Sequence, residues 1–426
     1  MAATTRAVSD GLRASATERD NGSPSAEMTP QRITMLLENN PYPVDVRVRA
    51  EAESLVAAGH EVEVVAPRAA GQPAREVVGG VRVRRFRGLN ASTDSPWSML
   101  REYAVAGVAL HAHALRALIR GASVLHLHNP PDILFPAGAL FRMAGRTVVF
   151  DHHDLGPELV AVRSGARPLI ALARACERLT FAVASHVLAA NASHAQIARD
   201  RGAKSEQEVT IVRNGPPKSW MEMPLRVRGG RLDVVRLAYV GAVAAQDGVE
   251  GLAQVLATLG ERTPRLDVRL TVIGDGSARS SLEAELERLG VADAVTITGW
   301  VPLETVPLLL ADADVCVDPA PATPLNDRST MMKVAEYLAL GKPVVAYDLV
   351  ETRATVGDAA LLVAPGDVDA FAGQIERLAG DPELRGQLAN RARERATGLT
   401  WEASASRLLA AYASFADRNG SGGGAT

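Results

Sequence analysis

The sequence predicts an α/β protein built from two doubly wound, Rossmann-like parallel sheets. Short β-branched runs alternate with stretches of helical periodicity, the pattern of a parallel sheet with crossover helices. The alternation stops at Asn214-Gly215-Pro216-Pro217 and starts afresh after an arginine- and glycine-rich stretch at 226–231. The chain of 426 residues also exceeds what one compact core organises, so two domains of roughly 150–200 residues each are expected. With 47% hydrophobic and 22% charged residues it has the make-up of a globular protein rather than a fibrous one. No sequence repeat relates the halves, so their likeness is one of architecture.

In the first half, strands are expected at 33–37, 62–66, 124–128, 147–152 and 187–190, with helices at 46–58, 131–144 and 170–183. In the second, strands are expected at 235–240, 268–273, 295–297, 315–317 and 343–346, separated by helices near 249–259, 278–289 and 331–340. Helices at 368–379, 382–397 and 401–416 close the chain. The organisation that follows is a disordered tail (1–31), a first domain (32–218), a linker (219–233) and a second domain (234–400). A terminal helix (401–418), placed to pack back on the first domain, and a flexible tail (419–426) complete it.

Several classes are set aside by composition. A formal net charge of −3 gives no global basic field, so no nucleic-acid partner is expected. Cys176 and Cys316 lie far apart without metal-ligand spacing, which points to a reducing, cytoplasmic interior. The first thirty residues lack the apolar core of a secretory signal. The run 103–119 is interrupted by His111, His113 and Arg116 and is shorter than the ~20 residues that span a bilayer, so it reads as a buried helix.

Ligands of open parallel sheets bind beyond the carboxyl ends of the strands. In the first domain those ends carry Glu38-Asn39-Asn40-Pro41-Tyr42-Pro43 followed by Asp45 and Arg47, then His126-Leu127-His128-Asn129-Pro130-Pro131-Asp132, then Asp151-His152-His153-Asp154 and, after Gly156, Glu158. So many polar groups are costly to bury in a core. Singly, each histidine fits a packing role and Asp132 or Asp154 a helix cap. Together, His126, His128, His152, His153 and Asp154 also fit a metal-dependent hydrolase. Adjacent strand residues such as His152 and His153 point to opposite faces, however, which works against a converging ligand set.

The second domain places turns at its strand ends: Gly241 leading through Gln246-Asp247-Gly248, Gly274-Asp275-Gly276, Thr298-Gly299-Trp300-Val301, and Asp327-Arg328-Ser329. The last opens a helix that Ser329 or Thr330 is placed to cap, with Met331 at its start, Lys333 and Glu336 on one face and Gly341 at its end. A helix N-terminus favours phosphate, and a carboxylate further along accepts hydrogen bonds from sugar hydroxyls. A nucleotide sugar carries both groups. An ordinary amphipathic helix explains this segment equally well when it is taken alone.

With these residues assembled, the chain from Arg32 to about Tyr412 resembles the retaining glycosyltransferases of family 4, which have the two-domain GT-B fold. Matching stretches include LLENNPYPVDVRVRAEAESLVAAGHEVEVVAP, HLHNPPDILF, FDHHDLGPELVAVRSG, VRNGPP, YVGAVAAQDGVEGL, VIGDG, ITGWV and DRSTMMKVAEYLALGKPVVAYD. They look most like bacterial members that build exopolysaccharide or surface glycans. The resemblance implies two Rossmann-like domains facing across a cleft, with the second binding a nucleotide diphosphate sugar as co-substrate and no cofactor or metal required. Donor contacts would come from Gly241, Gly274, Asp275, Trp300, Arg328, Ser329, Thr330, Met331, Lys333 and Glu336. Asn39, Asn40, Asp45, Arg47, His128 and Asn129 would line the acceptor side. His153 would orient the donor sugar or stabilise the reacting centre, with Asp154 and Glu158 beside it.

Departures from the family are specific. Of its two glutamates separated by seven residues, Glu336 matches the second, whereas Arg328 stands at the first with Asp327 beside it. The family's phosphate-binding arginine and lysine correspond to Ala242 and Asp247, which leaves Arg328 and Lys333 as the nearest cations. The implied acceptor is a glycan, a lipid-linked sugar or a small molecule. Arg163, Arg167, Arg174 and Arg178 surround an apolar helix, which suits either a solvated face or peripheral contact at the inner face of a membrane. A sugar-nucleotide epimerase or binding protein on the same architecture, and the metal-dependent hydrolase, are the alternatives.

Overall fold

A computed structural model describes residues 29–88 and 96–420. The predicted N-terminal tail as far as residue 28 and the glycine-rich end, 421–426, lie outside the described residues. The first half comprises β1 (Arg32–Leu36), α1 (Val46–Ala57), β2 (Glu61–Pro67), β3 (Arg75–Val78), β4 (Val81–Phe86), α2 (Pro96–Ile119), β5 (Val124–His128), α3 (Phe135–Met143), β6 (Thr147–His152), α4 (Gly156–Ser164), α5 (Arg167–Val183), β7 (His186–Ala189), α6 (Ala192–Asp200) and β8 (Val209–Ile211). Its strands form one sheet in the order β3-β4-β2-β1-β5-β6-β7-β8. All its pairings are parallel except the β3–β4 hairpin.

The second half comprises β9 (Val234–Val240), α7 (Gly251–Arg262), β10 (Asp267–Ile273), α8 (Arg279–Arg288), β11 (Val295–Ile297), α9 (Val306–Ala311), β12 (Val315–Asp318), α10 (Met332–Ala339), β13 (Val344–Tyr347), α11 (Val350–Val356), β14 (Leu361–Val363), α12 (Val368–Gly380), α13 (Pro382–Ala396) and α14 (Trp401–Gly420). Its sheet runs β11-β10-β9-β12-β13-β14 and is parallel throughout. The central strands β12 and β13 are buried on both faces, which is why VCVD and VVAY read as near-continuous apolar runs, whereas β9 and β10 expose a charged residue or two before their buried ends.

Helices cover both faces of each sheet and divide the interior into apolar clusters on either side. α14 does not pack on the half that precedes it. Leu408, Tyr412 and Phe415 bury themselves in the core of the first sheet, among Ile33, Met35, Val48 and Leu55. Trp401 Nε1 donates to Ser54 Oγ (3.0 Å), and Gln31 Nε2 donates to Tyr412 O (3.2 Å).

Two differences from the sequence reading have local causes. The helix expected at 131–144 begins only at Phe135, because 129–134 forms the polar loop at the end of β5. The β3–β4 hairpin turns at Gly79 and Gly80, with φ of 58° and 81°. A two-glycine turn supplies the positive φ that such a hairpin needs. No helix among the described residues is long and apolar enough to cross a membrane.

Candidate active site

Register along the first sheet brings its polar strand ends together, since β5 pairs with β6 so that His128 lies beside Asp151. Asp151 is the centre of a buried cluster. Arg47, on the first turn of α1, donates to it through Nε (2.7 Å) and Nη2 (2.6 Å). The remaining Arg47 nitrogen, Nη1, donates to Val212 O (2.9 Å) and Asn214 Oδ1 (2.8 Å). His128 Nδ1 and His153 Nδ1 each lie 3.0 Å from Asp151 Oδ2. Burial opposes a charge on Asp151, but Arg47 and His153 outweigh it and hold the carboxyl well below its usual range. Burial likewise opposes a charge on His153, yet Asp151 prevails and raises the ring to about 9. His153 is therefore an imidazolium at neutral pH.

Glu51, His126, His128 and Asp151 have ligand atoms within 4.8 Å of one another, and all four are buried. This is the grouping that the metal reading requires, but its carboxylates are engaged by Arg47, whose Nη2 is 2.6 Å from Asp151 and 3.2 Å from Glu51. A guanidinium between the two carboxylates supplies the positive charge that a cation would bring. His152 takes no part. It points to the opposite face of the sheet, 3.5 Å from Glu177 and packed against Phe181 and His194.

The second sheet meets this edge with backbone. Gly241 and Gly274, at the ends of β9 and β10, have φ of 139° and 146°. A Cβ at Gly274 would lie 1.9 Å from Gly241 O, so only glycine permits that approach. α10 starts at Met331 as cap residue and has no side-chain cap, which leaves N–H groups of its first turn without side-chain acceptors. Ser329 Oγ donates to Leu325 O (2.8 Å) instead, and Thr330 Oγ1 accepts from Asn191 Nδ2 (3.0 Å). Lys333 is buried over the Tyr239 ring, 2.9 Å from Asp247 and 3.6 Å from Asp318. Burial opposes its charge, but Asp318, Tyr239 and Asp247 outweigh that and keep it protonated. Its Nζ would be 3.6 Å from a Cβ at Gly241. Glu336 is buried, with its carboxyl pushed up by burial, against the pull of Lys333, to about 7.

The two edges are tied across the cleft. Asn191, at the end of β7, donates to Arg328 O (2.7 Å). Ser193 N donates to Glu351 Oε1 (2.9 Å), and Arg213 pairs with Glu351 (3.3 Å). Arg328 Nη1 lies 3.4 Å from Glu158 Oε1, and Glu158 also pairs with Arg201. Beside these contacts opens a cavity of about 1020 Å³, lined mainly by the first half and by Gln246 of the second.

The arrangement matches known proteins over most of the chain. A structure of sucrose-phosphate synthase from Thermosynechococcus elongatus superposes with a TM-score of 0.72 at 20% identity, covering 91% of this chain and 100% of that one. Residues 44–215 match the family described as Glycosyl transferase 4-like domain, and residues 235–381 match Glycosyl transferases group 1. The chain belongs to the GT-B glycosyltransferases. Among curated relatives, this glycosyltransferase is 32% identical to alpha-D-kanosaminyltransferase of Streptomyces kanamyceticus over 170 residues, 39% of this chain and 42% of that one. It thus spans less than half of that relative's length. HepE of Anabaena, solved in complex with UDP and glucose, superposes with a TM-score of 0.63 at 16% identity over 92% of this chain and 100% of that one.

In this glycosyltransferase the predicted residues separate into those that line open space and those that serve the interior. Asn39, Asn40 and Asp154 line the cavity, and Trp300 is 71% exposed. Three of the acceptor-side residues are engaged within the protein. Arg47 and His128 are buried against Asp151, and Asn129 is a buried staple whose Oδ1 accepts from the N–H groups of His153 and Asp154 (3.1 Å each). Asp45 is the cap of α1, accepting from Val48 N (3.0 Å). Capping by Ser329 or Thr330 does not occur, for the contacts given above. Asp275 is paired with Arg279 (3.1 Å). Asp151, Glu51 and Arg201 escaped the sequence reading as site residues. Asp151 had a signal in the FDHHD stretch, whereas Arg201 sits in an unremarkable helix end.

Proposed function

We propose that this glycosyltransferase moves a sugar from a nucleotide diphosphate sugar to a hydroxyl acceptor with retention of anomeric configuration, in the assembly of a glycan or glycoconjugate. The observation that supports this best is the meeting of the two carboxyl edges: Asn191, at the end of β7, holds the segment that opens α10. A donor bound at the glycine turns then has the His153 edge opposite it. The diphosphate would lie against the Gly241 turn and the start of α10, where backbone N–H groups, the charge of Lys333 and the half-exposed Arg328 favour an anion. Lys333 is already balanced by two carboxylates, so Arg328 and the helix start supply the larger part of that charge.

Sugar transfer develops oxocarbenium character at the anomeric carbon and negative charge on the departing phosphate. His153, protonated at neutral pH, cannot accept a proton from the acceptor and fits a role as donor of hydrogen bonds to the bound sugar. In the retaining reading, the acceptor O–H proton passes to an oxygen of the leaving phosphate as the new C–O bond forms on the face from which the old one breaks. Glu336, about one turn into α10, would accept from a donor hydroxyl. Incubation with a panel of nucleotide diphosphate sugars, followed by separation of glycoside, epimerised donor and free nucleotide, tests the proposal. The expected product is a glycoside with the donor's anomeric configuration by NMR. Inverted product would overturn retention, and epimerised donor without glycoside would overturn transfer.

A further inference from the structure

The cavity beside the cleft carries chemistry that the transfer reaction alone does not require. Its polar lining is acidic: Glu38 beyond β1, Glu102 on α2, Asp132 beyond β5 and Asp154 beyond β6, with no lysine, arginine or histidine among the described lining residues. Its other wall is apolar, built from Leu159 of α4 and Leu169, Leu172 and Ala173 of α5. Asp132 is only 6% exposed, and its Oδ1 has no hydrogen-bond partner. Gly156 makes room for this carboxyl, because a Cβ there would lie 2.6 Å from Asp132 Oδ2. A carboxyl buried this deeply at the wall of a cavity is costly to ionise unless a cation offsets it.

We infer that this cavity is the acceptor subsite and that its occupant carries a protonated amine on an apolar or cyclic body, and no phosphate. The inference rests on the transferase reading only for the word acceptor. An ammonium supplies three donors and the missing charge, while the leucines of α4 and α5 cover the ring or chain that bears it. Amino sugars, aminocyclitols and amine-bearing aglycones share this chemistry. A phosphorylated or diphosphate-linked acceptor would instead be placed among four carboxyl groups with no cation among the described lining residues, and a carboxylate there repels it. Burial dominates the two most enclosed acids. Burial, then Glu177, pushes Asp132 to about 8, and burial, then Glu102, pushes Glu38 to about 7. An ammonium favours their ionised forms, so its binding at pH 7 releases protons to the buffer.

The test uses the full chain without donor, so its outcome is independent of whether transfer occurs. Cyclohexylmethylamine, cyclohexylmethanol and cyclohexylmethyl phosphate present one ring with positive, neutral and negative groups, and their affinities are compared at pH 7 by ligand-observed NMR. The amine is expected to bind at least fivefold tighter than the alcohol and the phosphate more weakly than either. Calorimetry in buffers of different ionisation enthalpy is expected to show proton release for the amine alone. Asp132→Asn is expected to remove the preference. Because a substitution at a buried position can unfold the domain, Glu102→Gln, on a partly exposed position of α2, provides a second reading and is expected to halve the preference or more. An amine preference below fivefold, a phosphate that binds as well as the amine, no binding by any probe, or an amine preference untouched by Glu102→Gln would each overturn the inference.

Discussion

The two sheets finish their cleft edges in opposite ways. The first does so with buried titratable side chains, Arg47, Glu51, His126, His128 and Asp151, drawn from α1, β5 and β6, with the Arg47–Asp151 ion pair at their centre. The second does so with backbone, at Gly241 and Gly274 and at the uncapped start of α10. Side-chain charge can set a protonation state, as it does for the imidazolium of His153, whereas backbone N–H groups present a fixed dipole that no ordinary pH change removes. Under the proposed function, pH-sensitive chemistry would belong to the first edge, and recognition of an anion that is charged at every working pH to the second.

The largest expected effect comes from breaking the first edge at its centre. Arg47→Met removes the cation that neutralises Asp151, and stranding a buried carboxylate costs about 3–5 kcal/mol. Chemical denaturation is expected to show a loss of that order. A loss below about 1 kcal/mol would mean that the cluster rearranges and that side-chain charge does not hold this edge.

His153→Ala comes next. Turnover is expected to fall about 10²–10³-fold, because a positioned charged donor is lost from the reacting centre, with nucleoside diphosphate affinity unchanged within about twofold. A comparable loss in nucleotide affinity would erase the contrast between the edges. The pH dependence sharpens it further. A histidine raised to about 9 in the folded state contributes stability that is fully present below its unfolded pKa, near 6.5, and lost as pH rises through 9. The stability gap between wild type and His153→Ala is therefore expected to be widest at pH 6 and to close by pH 10.

The smallest effect is expected at Glu336. Glu336→Gln removes a carboxylate acceptor from the donor side, and limiting-donor kinetics are expected to worsen about tenfold, or about 1.4 kcal/mol. Its carboxyl is raised to about 7 in the folded state, so its contribution to stability is lost as pH rises from about 4.5 through 7. The variant should accordingly be more stable than wild type above pH 7 while being the poorer enzyme. Unchanged kinetics would remove Glu336 from the donor site.

Architecture was legible because parallel strands buried on both faces announce themselves as apolar runs; β1, β5, β6, β9, β10 and β12 all stand where the sequence places strands. The hairpin at Gly79-Gly80 was missed although its turn residues and the alternation EVVGGVRVRRF signalled it. The edge chemistry was only half legible. HLHNPPD and FDHHD marked the region, but pairing Arg47 with Asp151 spans 104 positions, and no local pattern records a partner so distant. Residues such as Arg47, His128 and Asn129 look functional in sequence because polar groups at strand ends look alike, whether they face a ligand or complete each other's hydrogen bonds. Burial separates the two cases, and burial is a property of the fold.

The return of α14 to the first sheet has a consequence for synthesis. Tyr412 OH reaches His126 Nδ1 (2.8 Å) inside the buried cluster, and Leu408 and Phe415 fill the core on one face of the first sheet, with Phe415 against His186 of β7. A ribosome releases β1 to β8 first, yet the layer that covers them is among the last to leave the exit tunnel. Meanwhile the second sheet, β9 to β14, is contiguous in the chain and has its own core. The half made first is thus finished last, and a chain stopped short of Trp401 leaves the tunnel with its second sheet complete and the first lacking its final layer.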